Sequence, residues 1–141
     1  MSPFIVECSS SKIAHSIVAV LHLCAIFSII FSFDFQYIII VIPLLISWLY
    51  AHYQYSEKRK NFIRKIEVRP DMQAVIFFNN SEQGVPVRVG QGSFVSRWAL
   101  MIVWQFLDEP KTVRQTLWKD SITNHAYHNL QVYLNIHQGK V

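Results

Sequence analysis

Two charge-free stretches near the start of this chain limit what it can fold into. From Ile13 to Phe33, and again from Tyr37 to Tyr55, there is no Asp, Glu, Lys or Arg. Wound as an α-helix at about 1.5 Å per residue, each stretch has the length to cross a hydrocarbon core of about 30 Å. Backbone groups in lipid have no water to bond, so isolated segments of this kind are expected as helices. The whole chain is 52% hydrophobic and 16% charged over 141 residues, whereas an ordinary domain is about a quarter charged. A disordered chain is excluded, since disorder needs low hydrophobicity and high charge. A cleaved secretory leader fits poorly: Glu7 and Lys12 precede the first stretch, which is long, and a second follows at once.

Only Asp34, Phe35 and Gln36 separate the two stretches, which predicts a tight antiparallel hairpin. The second stretch is followed by a basic cluster of Lys58, Arg59, Lys60, Arg64 and Lys65. Positive residues stay on the cytoplasmic side, so both termini are expected there. Residues 1–12 then read as an N-terminal cytoplasmic tail, 13–56 as a transmembrane hairpin, and 57–141 as a cytoplasmic domain. His15, His22 and His52 lie in the hairpin without an intramembrane carboxylate to pair with as a proton relay, and His22 is placed to hydrogen-bond across it. Pro43 is a kink candidate in the second helix. Trp48, Tyr50, Tyr53 and Tyr55 fit an interfacial aromatic belt.

The second half alternates. Ile63–Arg69, Met72–Phe78, Val85–Val89, the long apolar run Phe94–Leu107 and Thr112–Trp118 read as strands, separated by turn residues such as Asp108-Glu109-Pro110-Lys111. Ala126, Leu130, Tyr133 and Leu134 then recur at helical spacing within Ser121–His137, with Ser121 or Thr123 as the cap. The fold class expected is a two-helix transmembrane hairpin followed by a small α+β cytoplasmic domain, an antiparallel sheet of five or six strands plus a C-terminal helix.

Sequence signals for chemistry are sparse. No glycine-rich phosphate loop and no HExxH motif occurs, and Gly90-Gln91-Gly92 reads as a turn. His125 and His128 share a helix face but have no further ligand in the local pattern. Cys8 and Cys24 form no CxxC unit. No enzyme activity, cofactor or metal is therefore expected. The net charge of +4 is concentrated in the juxtamembrane cluster, which fits contact with anionic membrane lipids better than nucleic acid. Arg97, Trp98, Trp104 and Trp118 are candidates for a partner surface, because aromatic and Arg side chains dominate binding hot spots. Ordinary core packing is the alternative for the tryptophans. Ser28 and Ser32 are small residues at a spacing that suits close helix contact or self-association.

Three stretches in this order, IRKIEVRPDMQAVIF, SFVSRWALMIVW and TLWKDSITNHAYHNLQVYL, resemble the YgfX/CptA family of small bacterial inner-membrane proteins. Leu117-Trp118 followed by Asp120-Ser121 looks like that family's strand-to-helix junction. The resemblance implies a multi-pass protein of the inner membrane and a toxin-like partner of the small soluble SdhE/CptB flavinylation factor. It also implies interference with the filament proteins FtsZ and MreB, and so with cell division. No catalytic residue is implied. The helix surface at Asn124, His125, His128 and Asn129 is more neutral here than in the family. The alternatives are a membrane-tethered lipid-binding protein with a pleckstrin-like sheet domain and an accessory subunit of a membrane complex.

Overall fold

The computed structural model describes residues 2–32 and 39–138. In chain order the elements are β1 (Phe4–Glu7), α1 (Lys12–Ser32), α2 (Val41–Gln54), β2 (Ile63–Val68), β3 (Ala74–Phe78), β4 (Val85–Val89), β5 (Phe94–Val95), β6 (Ala99–Phe106), β7 (Thr112–Trp118) and α3 (Asn124–His137), with a short 3-10 turn at Lys119–Ser121 before α3.

The expected two-helix transmembrane hairpin is corrected. At 21 residues α1 is about 31 Å long. Its Lys12–Phe31 window has a mean hydropathy of 2.3 and is only 6% buried inside the protein. A core helix would be covered; this one presents Ile17, Val20, Leu21, Phe27 and Phe31 outward and needs lipid around it. By contrast α2 has 14 residues, about 21 Å, short of a hydrocarbon core. Pro43 explains the late start. Its ring clashes with the carbonyl four residues back, at Ile39, so it is tolerated only in a first turn, and α2 begins at Val41. Among the described residues one helix is long and apolar enough to cross a membrane. That overturns the multi-pass inner-membrane placement with both termini cytoplasmic. The turn expected at Asp34–Gln36 lies outside the described residues. The two helices still touch: His22 Nε2 is 3.4 Å from Ser47 Oγ, and the His15 and His52 rings are 4.6 Å apart.

The sheet is larger than expected, with seven strands, and every pairing is antiparallel. It opens with β1, inside the segment read as a tail. Phe4 pairs with Val68 and Glu7 with Lys65, so α1 and α2 form an insertion between two neighbouring strands. The order then runs β1-β2-β3-β4-β6. β7 pairs with Ala99–Gln105 along one side of β6. β4 and β5 follow one another along its other side, at Trp104–Phe106 and Leu100–Met101. The break between them is chemical. Gly92 takes φ +87°, a conformation that favours glycine. Ser93 Oγ accepts the Val103 N–H at 3.0 Å where a strand carbonyl would otherwise serve. The Phe94–Leu107 run is likewise split, because Ser96 Oγ accepts from the N–H groups of Trp98 and Ala99 and turns the chain.

The inner face carries Ile66, Val68, Ala74, Ile76, Val87, Leu100, Ile102, Trp104 and Leu117, all buried. A register shift between Ile63 and Lys65 adds a residue, so Ile63 also turns inward. α3 covers this face with Ala126, Tyr127, Leu130, Tyr133 and Leu134. Thr123 is its cap, accepting the Ala126 N–H at 3.3 Å. Two tyrosines pin the helix at its ends: Tyr127 Oη donates to Ser96 O at 2.9 Å, and Tyr133 Oη to Met72 O at 3.0 Å. Met72 holds φ 64°, unusual for a side chain of its size. Burial, then the nearby negative Asp71, pushes the Tyr133 phenol up to about 12.

Candidate functional site: the membrane junction and its flanking surface

The strand-to-helix junction after β7 is where the sheet grips the membrane helix. Leu117 is buried in the core, and the following 3-10 turn swings Asp120 under the start of α1. Asp120 accepts from Ser11 Oγ at 2.6 Å and from the Ile13 N–H at 3.0 Å. Ser11 Oγ in turn accepts the Ala14 N–H at 3.0 Å. One turn of α1 is thus capped by its own serine and by a carboxylate more than a hundred residues away in the chain. A negative charge is well placed there, where unpaired N–H groups sum to a partial positive charge. Burial acts to raise the Asp120 carboxyl; the hydrogen bonds from Ser11 and the backbone at Ile13 and Lys12 outweigh it and hold it below the usual range. Ser121 completes the clasp: its carbonyl accepts from both the N–H and the hydroxyl of Ser9, each at 2.9 Å. α1 thus follows a sheet strand and is capped by the far end of the same domain.

The four residues expected to form a partner surface separate. Trp104 is fully buried, a correction forced by its inward register on β6. Its Nε1 donates to Gln115 Oε1 at 2.9 Å, and Gln115 Nε2 lies 3.8 Å from Cys8 Sγ. These contacts link β6 and β7 to the residue that follows β1, at the opposite edge of the sheet. Burial pushes the Cys8 thiol up to about 12, the Gln115 contact opposing it. Trp118 is half-buried, and its indole N–H is enclosed without an acceptor among the described residues. Trp98 is 64% exposed, with the Arg97 guanidinium 5.6 Å from its ring centre. Arg97 also borders an open cleft of about 460 Å³ with Lys119, His128, Asn124 and Tyr127.

The basic cluster divides too. Lys58 and Lys60 are exposed in the turns after α2, and Arg59 Nη1 donates to Gln54 Oε1 at 2.6 Å. Arg64 is exposed on β2. Lys65 is drawn onto the outer face of the sheet, 3.4 Å from Glu67 and 4.9 Å from the centre of the Phe77 ring. Sequence reading missed Ser9, Ser11 and Asp120 as a unit, and missed Lys119 and His128 as neighbours of Arg97. The Asp120-Ser121 pair was the available signal, since Asp and Ser are capping residues. Among the described residues no group of three or more His, Cys, Asp or Glu is arranged to hold a metal ion.

A lipid-exposed helix clasped to a curled, helix-covered sheet defines a membrane-anchored domain that presents a surface. The chain belongs to the CptA family, described as the membrane-bound toxin component of a toxin-antitoxin system, whose family model matches residues 2–138. No curated protein and no solved structure matched the chain.

Proposed function

We propose that this protein acts by binding, without catalysis, as a membrane-anchored toxin-like regulator whose cognate partner is a small soluble protein. The observation that carries this is the corner beside the membrane junction, where Trp98 stands 64% exposed next to Arg97. Arg97 in turn shares a cleft with Lys119 and His128. An exposed Trp flanked by cations suits a partner offering an apolar pocket rimmed by carboxylates. Family membership supplies the expectation of a paired antitoxin, and a flavinylation-factor-like protein is the candidate the resemblance suggests. Regulation of FtsZ- or MreB-type filaments is the second reading. It rests on that resemblance, with occlusion of a polymerising surface as the mechanism.

The test is crosslinking of the full chain in native membranes, followed by identification of the captured protein, for wild type and for Arg97→Glu and Trp98→Ala. Both substitutions are expected to reduce capture of one soluble partner at least tenfold, about 1.4 kcal/mol, at unchanged protein level. Equal capture by all three proteins would refute the assignment of this corner.

A further inference from the structure

A second cleft, of about 310 Å³, lies where the curled sheet fails to close. One wall is β7 from Val113 to Trp118. Opposite it stand Ser9–Ser11, which lead into α1, and Asn61–Ile63, which lead into β2; Gln54 and Tyr55 at the end of α2 border it too. Its lining residues include two arginines, Arg59 and the exposed Arg114 of β7, and no Asp or Glu. The one ion pair among the described residues is Lys65–Glu67, so neither arginine is held in a salt bridge there. Arg59 is steadied by Gln54 through a single nitrogen, Nη1, and a guanidinium has five N–H groups to offer. Ser10, Asn61 and Thr116 add neutral polar groups, and the enclosed indole N–H belongs to Trp118, which also lines the cleft. Two carboxylates accept from residues of its wall, Glu57 from the Ser10 N–H and Asp120 from the Ser11 hydroxyl.

We infer that this cleft binds the phosphate of an anionic phospholipid headgroup, in the leaflet that α1 enters. Guanidinium groups match phosphate oxygens in pairs, and hydroxyl and amide donors complete such a site. Position selects a lipid over a soluble anion. The wall at Ser9–Ser11 runs directly into the lipid-exposed α1, so the cleft sits at headgroup depth. A headgroup held there joins the unclosed edge of β7 to the base of α1 and fixes the tilt of the sheet domain on the membrane. This site shares no lining residue with the Arg97 cleft and does not depend on the identity of a protein partner.

The experiment uses the full chain in detergent micelles and a fluorescent phosphatidylglycerol, displaced by unlabelled phosphatidylglycerol, phosphatidylcholine or sodium phosphate. Two arginines near a charged headgroup are expected to favour phosphatidylglycerol over phosphatidylcholine by about 30-fold. Arg59→Gln and Arg114→Gln should each cut that preference about fivefold. Lys58→Gln/Lys60→Gln, outside the cleft, should leave most of it. Equal displacement by the two lipids would overturn the proposal on the wild type alone, whatever the variants do. So would arginine variants that keep the full preference while showing native tryptophan emission. Displacement by millimolar phosphate as readily as by the anionic lipid would assign the cleft to a soluble phosphate and overturn the lipid assignment.

Discussion

Removing the Asp120 carboxylate should loosen the membrane helix from the sheet without unfolding either. Asp120→Ala deletes the acceptor of two hydrogen bonds, from Ser11 Oγ at 2.6 Å and from the Ile13 N–H at 3.0 Å. Loss of a helix cap costs about 1 kcal/mol, and a charge at a helix N-terminus adds about 0.3–1 kcal/mol. Because Asp120 is exposed, screening holds the sum to about 1–2 kcal/mol. Local opening of the junction should then rise roughly 5- to 30-fold. Hydrogen exchange of the full chain in nanodiscs reads this at the amides of Ser9, Ile13 and Ala14, with core amides such as Ile76 as an internal control. The effect also carries a pH signature. The folded carboxyl titrates below its ordinary value of 3.8. Its contribution is therefore complete above that value and is lost as pH falls through the depressed one. After correction for intrinsic rates, protection of Ile13 should be flat at neutral pH and decline only in strong acid, and Asp120→Asn should abolish the decline. If Asp120→Ala leaves Ile13 and Ala14 protected as in wild type, the clasp is not what holds α1 to the sheet.

Other outcomes follow from burial and placement. Trp104→Ala should destabilise the sheet domain by about 3–5 kcal/mol, whereas Trp98→Ala, at an exposed site, should change stability by no more than about 0.5 kcal/mol; chemical denaturation in micelles separates them. In a Cys24→Ser background, Cys8 should resist alkylation at pH 8, because its thiol is pushed up to about 12, and should react at once on denaturation; rapid labelling of the folded protein would contradict its burial. Leu21→Arg, near the middle of α1, should cost about 2.5–3.5 kcal/mol of insertion free energy. Carbonate extraction of membranes should then release a fraction of the variant that wild type does not.

Much of the sheet domain was legible because strand and helix periods are local. The alternation in Val85–Val89 and Thr112–Trp118, and the stripe Ala126-Leu130-Tyr133-Leu134, lie on the elements the structure contains. The length of the second apolar stretch was misread. Absence of charge says nothing about where a helix starts, and Pro43 sets that through a clash with a backbone carbonyl. β1 was missed because a four-residue strand has too few positions to show a pattern, and its partner lies past both helices.

Sequence alone determined that an apolar helix would need lipid, that an antiparallel sheet and a terminal helix would follow, and that family membership was readable from the order of three stretches. These rest on composition and short-range periodicity, which need no knowledge of distant contacts. Only the tertiary structure decided that α1 and α2 interrupt the sheet between β1 and β2, that Trp104 is core while Trp98 is surface, and that Asp120 caps a helix beginning at Lys12. Each depends on which faces meet after the sheet curls. That curl follows from the summed twist and register of seven strands, and the Trp104–Gln115–Cys8 contacts bridge its two ends.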